Sequence, residues 1–429
     1  NEKVCFIHRL LFVYGPEPPV YIEKTIFKGG NEMKKNARRL LAALMCATVV
    51  LSMSACTTGS ETDDAASSDG AEASKETKDI KDIVVGLSIG NTTEERWNRE
   101  IEMFQEYADE KGFTLNVQNA NNDANKQVSQ CENLINQGVD VMIVQSLDAE
   151  AASPIVESAH DAGIQVIAYD RFIMNCDLDY YVTFDSFKVG QVEAQFIVDA
   201  APKGNYIWLK GAPEDNNAHL VAEGQQDVLQ PYIDSGDITI VTEQWCKGWD
   251  PNEALKHTEN GLTSAANDVQ GVIASNDGTA GGAVQALEAQ GLAGTVPICG
   301  QDADIAACQR IVDGTQTGTV YKPLAPLNQA ACELAVAIAT GESDPMSGVD
   351  SSLGTWQKLS NNSKDVDSFT VDVEAIDKDN IYDIIIERDA FHSVEDVYAN
   401  VPKDQWPTSS DSAGADDAAE SAETAQTAE

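Results

Sequence analysis

The chain has 429 residues, enough for two or three domains with ample core in each. With 28 Lys and Arg against 70 Asp and Glu, its formal net charge is −42. A surface that anionic repels phosphate backbones and anionic lipid, which argues against nucleic acid as a partner and favours a soluble protein with a neutral or cationic ligand.

Near the N-terminus, Met33 begins a tripartite segment: Lys34, Lys35, Arg38 and Arg39, an apolar run from Leu40 to Leu51, then Ser54 and Ala55 before Cys56. The run is short for a membrane span and has the layout of a secretory signal. Residues 33–55 are expected to be that signal, and LSMSAC resembles a bacterial lipoprotein cleavage site, with Cys56 as the lipidated residue. Residues 1–32 precede it and are expected to be a wrongly assigned upstream stretch, with the start at Met33. Residues 56–79 and 408–429 are Ser, Thr, Ala, Gly and acid without apolar periodicity, as in a solvated tether and a tail.

From Ile83 onward, apolar runs alternate with helical patterns. IVVGLSI (Ile83 to Ile89), TLNVQNA (Thr114 to Ala120), VMIVQS (Val141 to Ser146) and VIAYD (Val166 to Asp170) read as strands. Between them Val128, Cys131, Leu134 and Ile135 share one helical face. A second series follows: YVTFD (Tyr181 to Asp185), NYIWLKG (Asn205 to Gly211), ITIVTEQW (Ile238 to Trp245), VIASND (Val272 to Asp277) and VPICGQD (Val296 to Asp302). Such βαβ repetition predicts an α/β protein with two similar doubly wound parallel-sheet lobes that face one another across a cleft. Cys131, Cys176, Cys246, Cys299, Cys308 and Cys332 are widely spread, without metal-ligand spacing, and most read as small buried hydrophobes.

In open α/β sheets, ligands bind beyond the carboxyl ends of the strands. Those ends read Asp170-Arg171, Phe184-Asp185, Asn276-Asp277 and Gln301-Asp302, with Lys322 after Tyr321. Arg96-Trp97, Asn217 and Trp249 follow other strands. Each residue alone is equally a solvated loop position; the set suits a polyol. Carboxylate, amide, guanidinium and ammonium groups satisfy sugar hydroxyls, and indoles pack on the C–H faces. Enzyme motifs fare worse: there is no GxSxG, no HExxH and no Walker loop, and GTAGGA at Gly278 lacks the GxGxxG spacing. Neither metal nor cofactor is expected, and DKDN at Asp377 reads as a surface turn.

The ordered runs ERW (Glu95 to Trp97), AYDR (Ala168 to Arg171), DNNA (Asp215 to Ala218), ASND (Ala274 to Asp277), GQDAD (Gly300 to Asp304) and VYKP (Val320 to Pro323) carry a resemblance. From about Ile83 to His392 the chain resembles the D-xylose-binding proteins of bacterial ABC sugar transporters, a branch of the periplasmic binding protein family. The resemblance implies that Arg96, Asp170, Arg171, Asn217, Asn276, Asp302 and Lys322 bond the sugar hydroxyls while Trp97 and Trp249 stack on its faces. It implies a hinge of three crossings, near Asp185, Lys322 and the region after Gly354, so that 80–184 plus 323–354 form one lobe and 185–322 plus 355–407 the other. The implied partners are a monosaccharide, D-xylose or a related aldose, and an ABC permease, with the receptor a monomer. FIMNCDL (Phe172 to Leu178) and Cys246-Lys247 depart from the family pattern. A multi-sugar branch shares AYDR, DNNA and GQDA, and a chemoreceptor or sensor kinase is the alternative partner.

Overall fold

The computed structural model describes residues 78–407. Cys56, the segment 33–55, most of 56–79 and the tail 408–429 lie outside them. No helix among the described residues is long and apolar enough to cross a membrane.

The first sheet contains β1 (Val84–Ile89), β2 (Thr114–Asn119), β3 (Val141–Gln145), β4 (Gln165–Tyr169) and β5 (Tyr180–Phe184), joined by β11 (Thr355–Ser360) and β12 (Asp365–Val371). Its order is β11-β12-β5-β4-β3-β1-β2, parallel throughout except for β11 against β12. The second holds β6 (Gly204–Lys210), β7 (Ile238–Trp245), β8 (Gly271–Ala274), β9 (Ile298–Gln301), β10 (Gly318–Tyr321) and β13 (Glu374–Asp377). Its order is β13-β10-β9-β8-β6-β7, with β13 alone antiparallel. The unbroken apolar runs are what this arrangement requires, because a central parallel strand is covered by helices on both faces. All five residues of β3 are buried. β1 and β6 sit between their successor strands, so each sheet has a switch point where a crevice opens at the strand ends.

Acidic and amide caps start many of the helices. Asp123 accepts from the Lys126 N–H, Asp185 from Lys188 and Asp250 from Asn252, each satisfying a backbone donor that the first turn leaves open. All six cysteines among the described residues are buried and free.

Two expectations are corrected. Residues 355–371 belong with the first sheet rather than with the second lobe, because β12 pairs in parallel with β5 from Asp367 against Tyr180 to Val371 against Phe184. The third crossing therefore falls at Asp372-Val373, between β12 and β13, and not just after Gly354. Similarly, YVTFD closes the first series instead of opening the second, since β5 pairs with β4. The other two crossings lie at Asp185, between β5 and the helix Ser186–Ala200, and at Lys322, between β10 and the helix Leu324–Thr340.

Candidate functional site

The carboxyl ends of the two sheets line a common, tightly filled cavity. Arg96, Trp97, Asp170, Arg171, Asn217, Trp249, Asn276, Asp302 and Lys322 all line it, so tertiary structure brings every expected contact residue to one place. Asp185 is not among them; it is exposed and caps its helix at the first crossing.

Asp170 and Asp302 occupy matching positions in the two lobes. Each follows its strand with a left-handed backbone, φ 60° and 101°, and each N–H donates to the neighbouring strand, to Val182 (2.8 Å) and Val320 (2.9 Å). Such conformations are costly outside glycine and persist where the surroundings over-determine them. At Asp170 they do: its carbonyl accepts from Tyr181 Oη (2.6 Å), Thr183 Oγ1 (3.0 Å) and Asn217 Nδ2 (2.7 Å). Trp249 is also left-handed, φ 57°. Its ring lies so close to Gly211 that a Cβ there would come within 2.2 Å of the indole.

The lining contains three cations, Arg96, Arg171 and Lys322, and four carboxylates, Glu94, Asp170, Asp215 and Asp302. Arg96 Nη1 lies 3.0 Å from Asp170 and 3.7 Å from Asp302, and its Nε donates to Glu100 at 2.6 Å. Lys322 Nζ is 2.6 Å from Asp302 Oδ1. Burial would lower the Arg96 pKa, but Asp170, Glu100 and Asp302 outweigh it and hold it well above its ordinary value. Burial would raise Asp170, yet Arg96, Lys322 and Arg171 keep it below the usual carboxylate range. Glu100, buried beneath Arg96 and bonded to the Tyr169 hydroxyl, is raised by burial. With charges this nearly balanced, a neutral guest fits better than an ion. Arg96 Nη2 is buried without a hydrogen-bond partner among the described residues, which leaves a donor for a hydroxyl, whereas Asp302 Oδ1 is already held by Lys322.

Arg171 ties the lobes together. Its Nη2 donates to Glu94 Oε1 at 2.7 Å, and its Nε lies 2.9 Å from Asp215 Oδ2. Glu94 also accepts from the Trp97 indole N–H (2.7 Å), and Asp215 from that of Trp249 (3.1 Å). One guanidinium thus spans two carboxylate–indole units, one from each lobe. Asn217 is a second clasp: Nδ2 donates to the Asp170 carbonyl, and Oδ1 accepts from Tyr181 Oη at 3.1 Å. At the lip, the Ala149 N–H donates to the Glu214 carbonyl at 3.0 Å. Asn276 caps the helix Asp277–Ala289 through Oδ1, which leaves its amide N–H groups for the cavity.

Sequence reasoning missed Glu94 and Asp215 as site residues. Glu94 precedes the ERW run and Asp215 opens DNNA, but only their shared hold on Arg171 gives them a role. Glu100 had a usable signal, an acid four residues after Arg96 on one helix.

Two α/β lobes that shut on a polar, indole-walled cavity at their strand ends define a two-lobed solute-binding protein. Residues 85–343 match the model of the periplasmic binding protein domain, and the chain belongs to that family. The D-xylose-binding periplasmic proteins of Haemophilus influenzae and Escherichia coli are each 45% identical to it, over 74% and 73% of this chain and 93% and 92% of theirs. A carbohydrate-transporter solute-binding protein from Chloroflexus aurantiacus, solved with D-glucose, superposes with a TM-score of 0.66 at 32% identity, covering 73% of this chain and 98% of that one.

Proposed function

We propose that this protein captures D-xylose by closure of its two lobes and delivers it to the permease of an ABC importer. The observation that carries the reading is the near-neutral, doubly walled cavity, where the buried Arg96 Nη2 remains for a hydroxyl. The D-xylose named for relatives at 45% identity supports the choice of sugar. Arg96, Asp170, Arg171, Asn276, Asp302 and Lys322 bond the hydroxyls, Trp97 and Trp249 bracket the ring, and Asn217 clasps the lobes. The crossings at Asp185, Lys322 and Asp372-Val373 act as the hinge, and closure is a population shift driven by contacts that both lobes make only when shut. Lipidation at Cys56 holds the receptor at the outer face of the cytoplasmic membrane.

Binding, not turnover, is the activity. A glycosidase built on Asp170 and Asp302 would need one carboxyl raised to act as the acid. Both carboxylates are instead engaged by cations, Asp170 by Arg96 at 3.0 Å and Asp302 by Lys322 at 2.6 Å, the arrangement of hydroxyl acceptors.

A second reading, a multi-sugar receptor that also takes hexoses or signals to a sensor, is favoured by the D-glucose in the Chloroflexus aurantiacus structure. Calorimetric titration with D-xylose, L-arabinose, D-ribose, D-glucose and D-galactose separates the two. Micromolar or tighter binding of D-xylose alone is expected, about −8 kcal/mol or better. Comparable binding of several sugars selects the second reading, and binding of none overturns both.

A further inference from the structure

We propose that His392 is a positioning residue for the sugar site, holding through the Ala303 carbonyl the turn that aims Asp302 into the cavity. This rests on the sugar-binding reading above and adds to it a residue outside the cavity lining.

The turn is one that needs holding. Asp302 and Ala303 are consecutive non-glycine residues with φ 101° and 54°. L-residues adopt this region only where other contacts compensate. The Asp302 N–H is engaged by Val320, whereas the Ala303 N–H reaches Thr319 Oγ1 only at 3.4 Å. The Ala303 carbonyl accepts from His392 Nε2 at 2.8 Å and more weakly from Cys308 Sγ at 3.4 Å. A carbonyl can only accept, so Nε2 carries the proton. Asp302 Oδ1 stands 2.6 Å from Lys322 and 3.7 Å from Arg96, so a small rotation of the turn changes what the carboxylate offers a hydroxyl.

The tie is long-range, 89 residues apart in sequence, and His392 is itself braced. Its ring meets Phe391 edge-on at 4.7 Å, and Phe391 meets Tyr321, the neighbour of Lys322, at 4.9 Å. The guanidinium of Arg99 lies 4.0 Å from the Phe391 centroid, one helical turn beyond Arg96. The Phe391-His392 pair therefore touches the helix of Arg96, the strand end of Lys322 and the turn of Asp302, three charged groups of the cavity drawn from both lobes. Burial, with Arg99 nearby, lowers the His392 pKa, so the ring stays neutral at neutral pH.

The test is calorimetric titration of D-xylose into the wild-type protein, His392→Leu and His392→Gln, each also combined with Asp302→Asn. The leucine fills the space without a donor; the glutamine side chain restores an N–H at the reach of Nε2. His392→Leu is expected to weaken binding about tenfold and His392→Gln less than about threefold. In the Asp302→Asn background the leucine is expected to add under about twofold, because the histidine acts through that carboxylate. Equal loss in both variants, full additivity with Asp302→Asn, or unchanged affinity overturns the proposal. If the leucine variant does not fold, His392→Gln against the shorter His392→Asn decides, with only the former expected to bind as wild type. A wild-type protein that binds none of the sugars overturns the functional reading itself and this inference with it, whereas wild-type binding with an indifferent His392 overturns this inference alone.

Discussion

Arg171 divides one planar fork between Glu94 of the first lobe and Asp215 of the second, and each carboxylate in turn fixes an indole. Lysine has the charge but not the fork. Arg171→Lys is expected to leave one buried carboxylate unpaired and to weaken D-xylose binding at least about thirtyfold, the lower end for truncating a buried charge pair; titration calorimetry measures it. Asp277 gives a prediction about pH. Burial pushes its carboxyl from 3.8 up to about 7, against the pull of Arg310 and the Thr319 hydroxyl. The native state therefore holds this proton more tightly than the unfolded chain. Its contribution to stability is fully present below 3.8 and is lost as pH climbs to about 7. Asp277→Asn cannot titrate, so thermal melts between about pH 4 and 7 should show a flatter loss of stability in the variant; an unchanged slope would refute the assignment. Of the site's residues, Asp170, Arg171 and Asp302 were legible because each ends an apolar strand run abruptly. Glu94 and Asp215 were not, because nothing local marks an acid whose partner is 77 residues away, as Glu94 is from Arg171.

At the scale of elements, strand ends and helix caps place the chemistry. Gly211 follows β6 where the Trp249 ring lies against the backbone, and a methyl there would sit 2.2 Å from the indole. Gly211→Ala is expected to displace the ring and weaken sugar binding about tenfold, roughly the value of one lost aromatic contact, with a shift in tryptophan emission. Asp123→Ala makes the contrast. It removes the cap of the helix Ala124–Gln137 without touching a residue of the cavity lining, and should cost about 1 kcal/mol in denaturant unfolding while leaving affinity unchanged. Strands flanked by amphipathic helices were readable from periodicity alone. β12 was not, since its parallel partner β5 lies nearly two hundred residues earlier and no βαβ unit announces the pairing.

Over the whole molecule, several contacts bridge the lobes, among them Arg171 to Asp215, Asn217 to the Asp170 carbonyl and the Tyr181 hydroxyl, and the Ala149 N–H to the Glu214 carbonyl at the lip. The chain passes between the lobes at Asp185, Lys322 and Asp372-Val373, so any opening would have to be taken up there. If the sugar selects the shut state, small-angle scattering should show the radius of gyration fall when D-xylose is added, and Arg171→Ala should lose that response. Ligand at a hundred times its Kd should stabilise the wild type by about 2.7 kcal/mol. A radius indifferent to sugar would mean that capture does not proceed by closure.

The sequence by itself determined the two-lobed α/β plan, the strand ends that carry the site and the residue types a polyol needs, because buried parallel strands and amphipathic helices write their periodicity into neighbouring residues. It also determined the surplus of acid, which follows from composition alone. Tertiary structure decided the rest: that Arg171 joins Glu94 to Asp215, that β11 and β12 return to the first sheet, and that His392 braces the Asp302 turn. Each of these depends on which distant segments pair, and pairing energy is settled by packing and desolvation in three dimensions rather than by any local pattern.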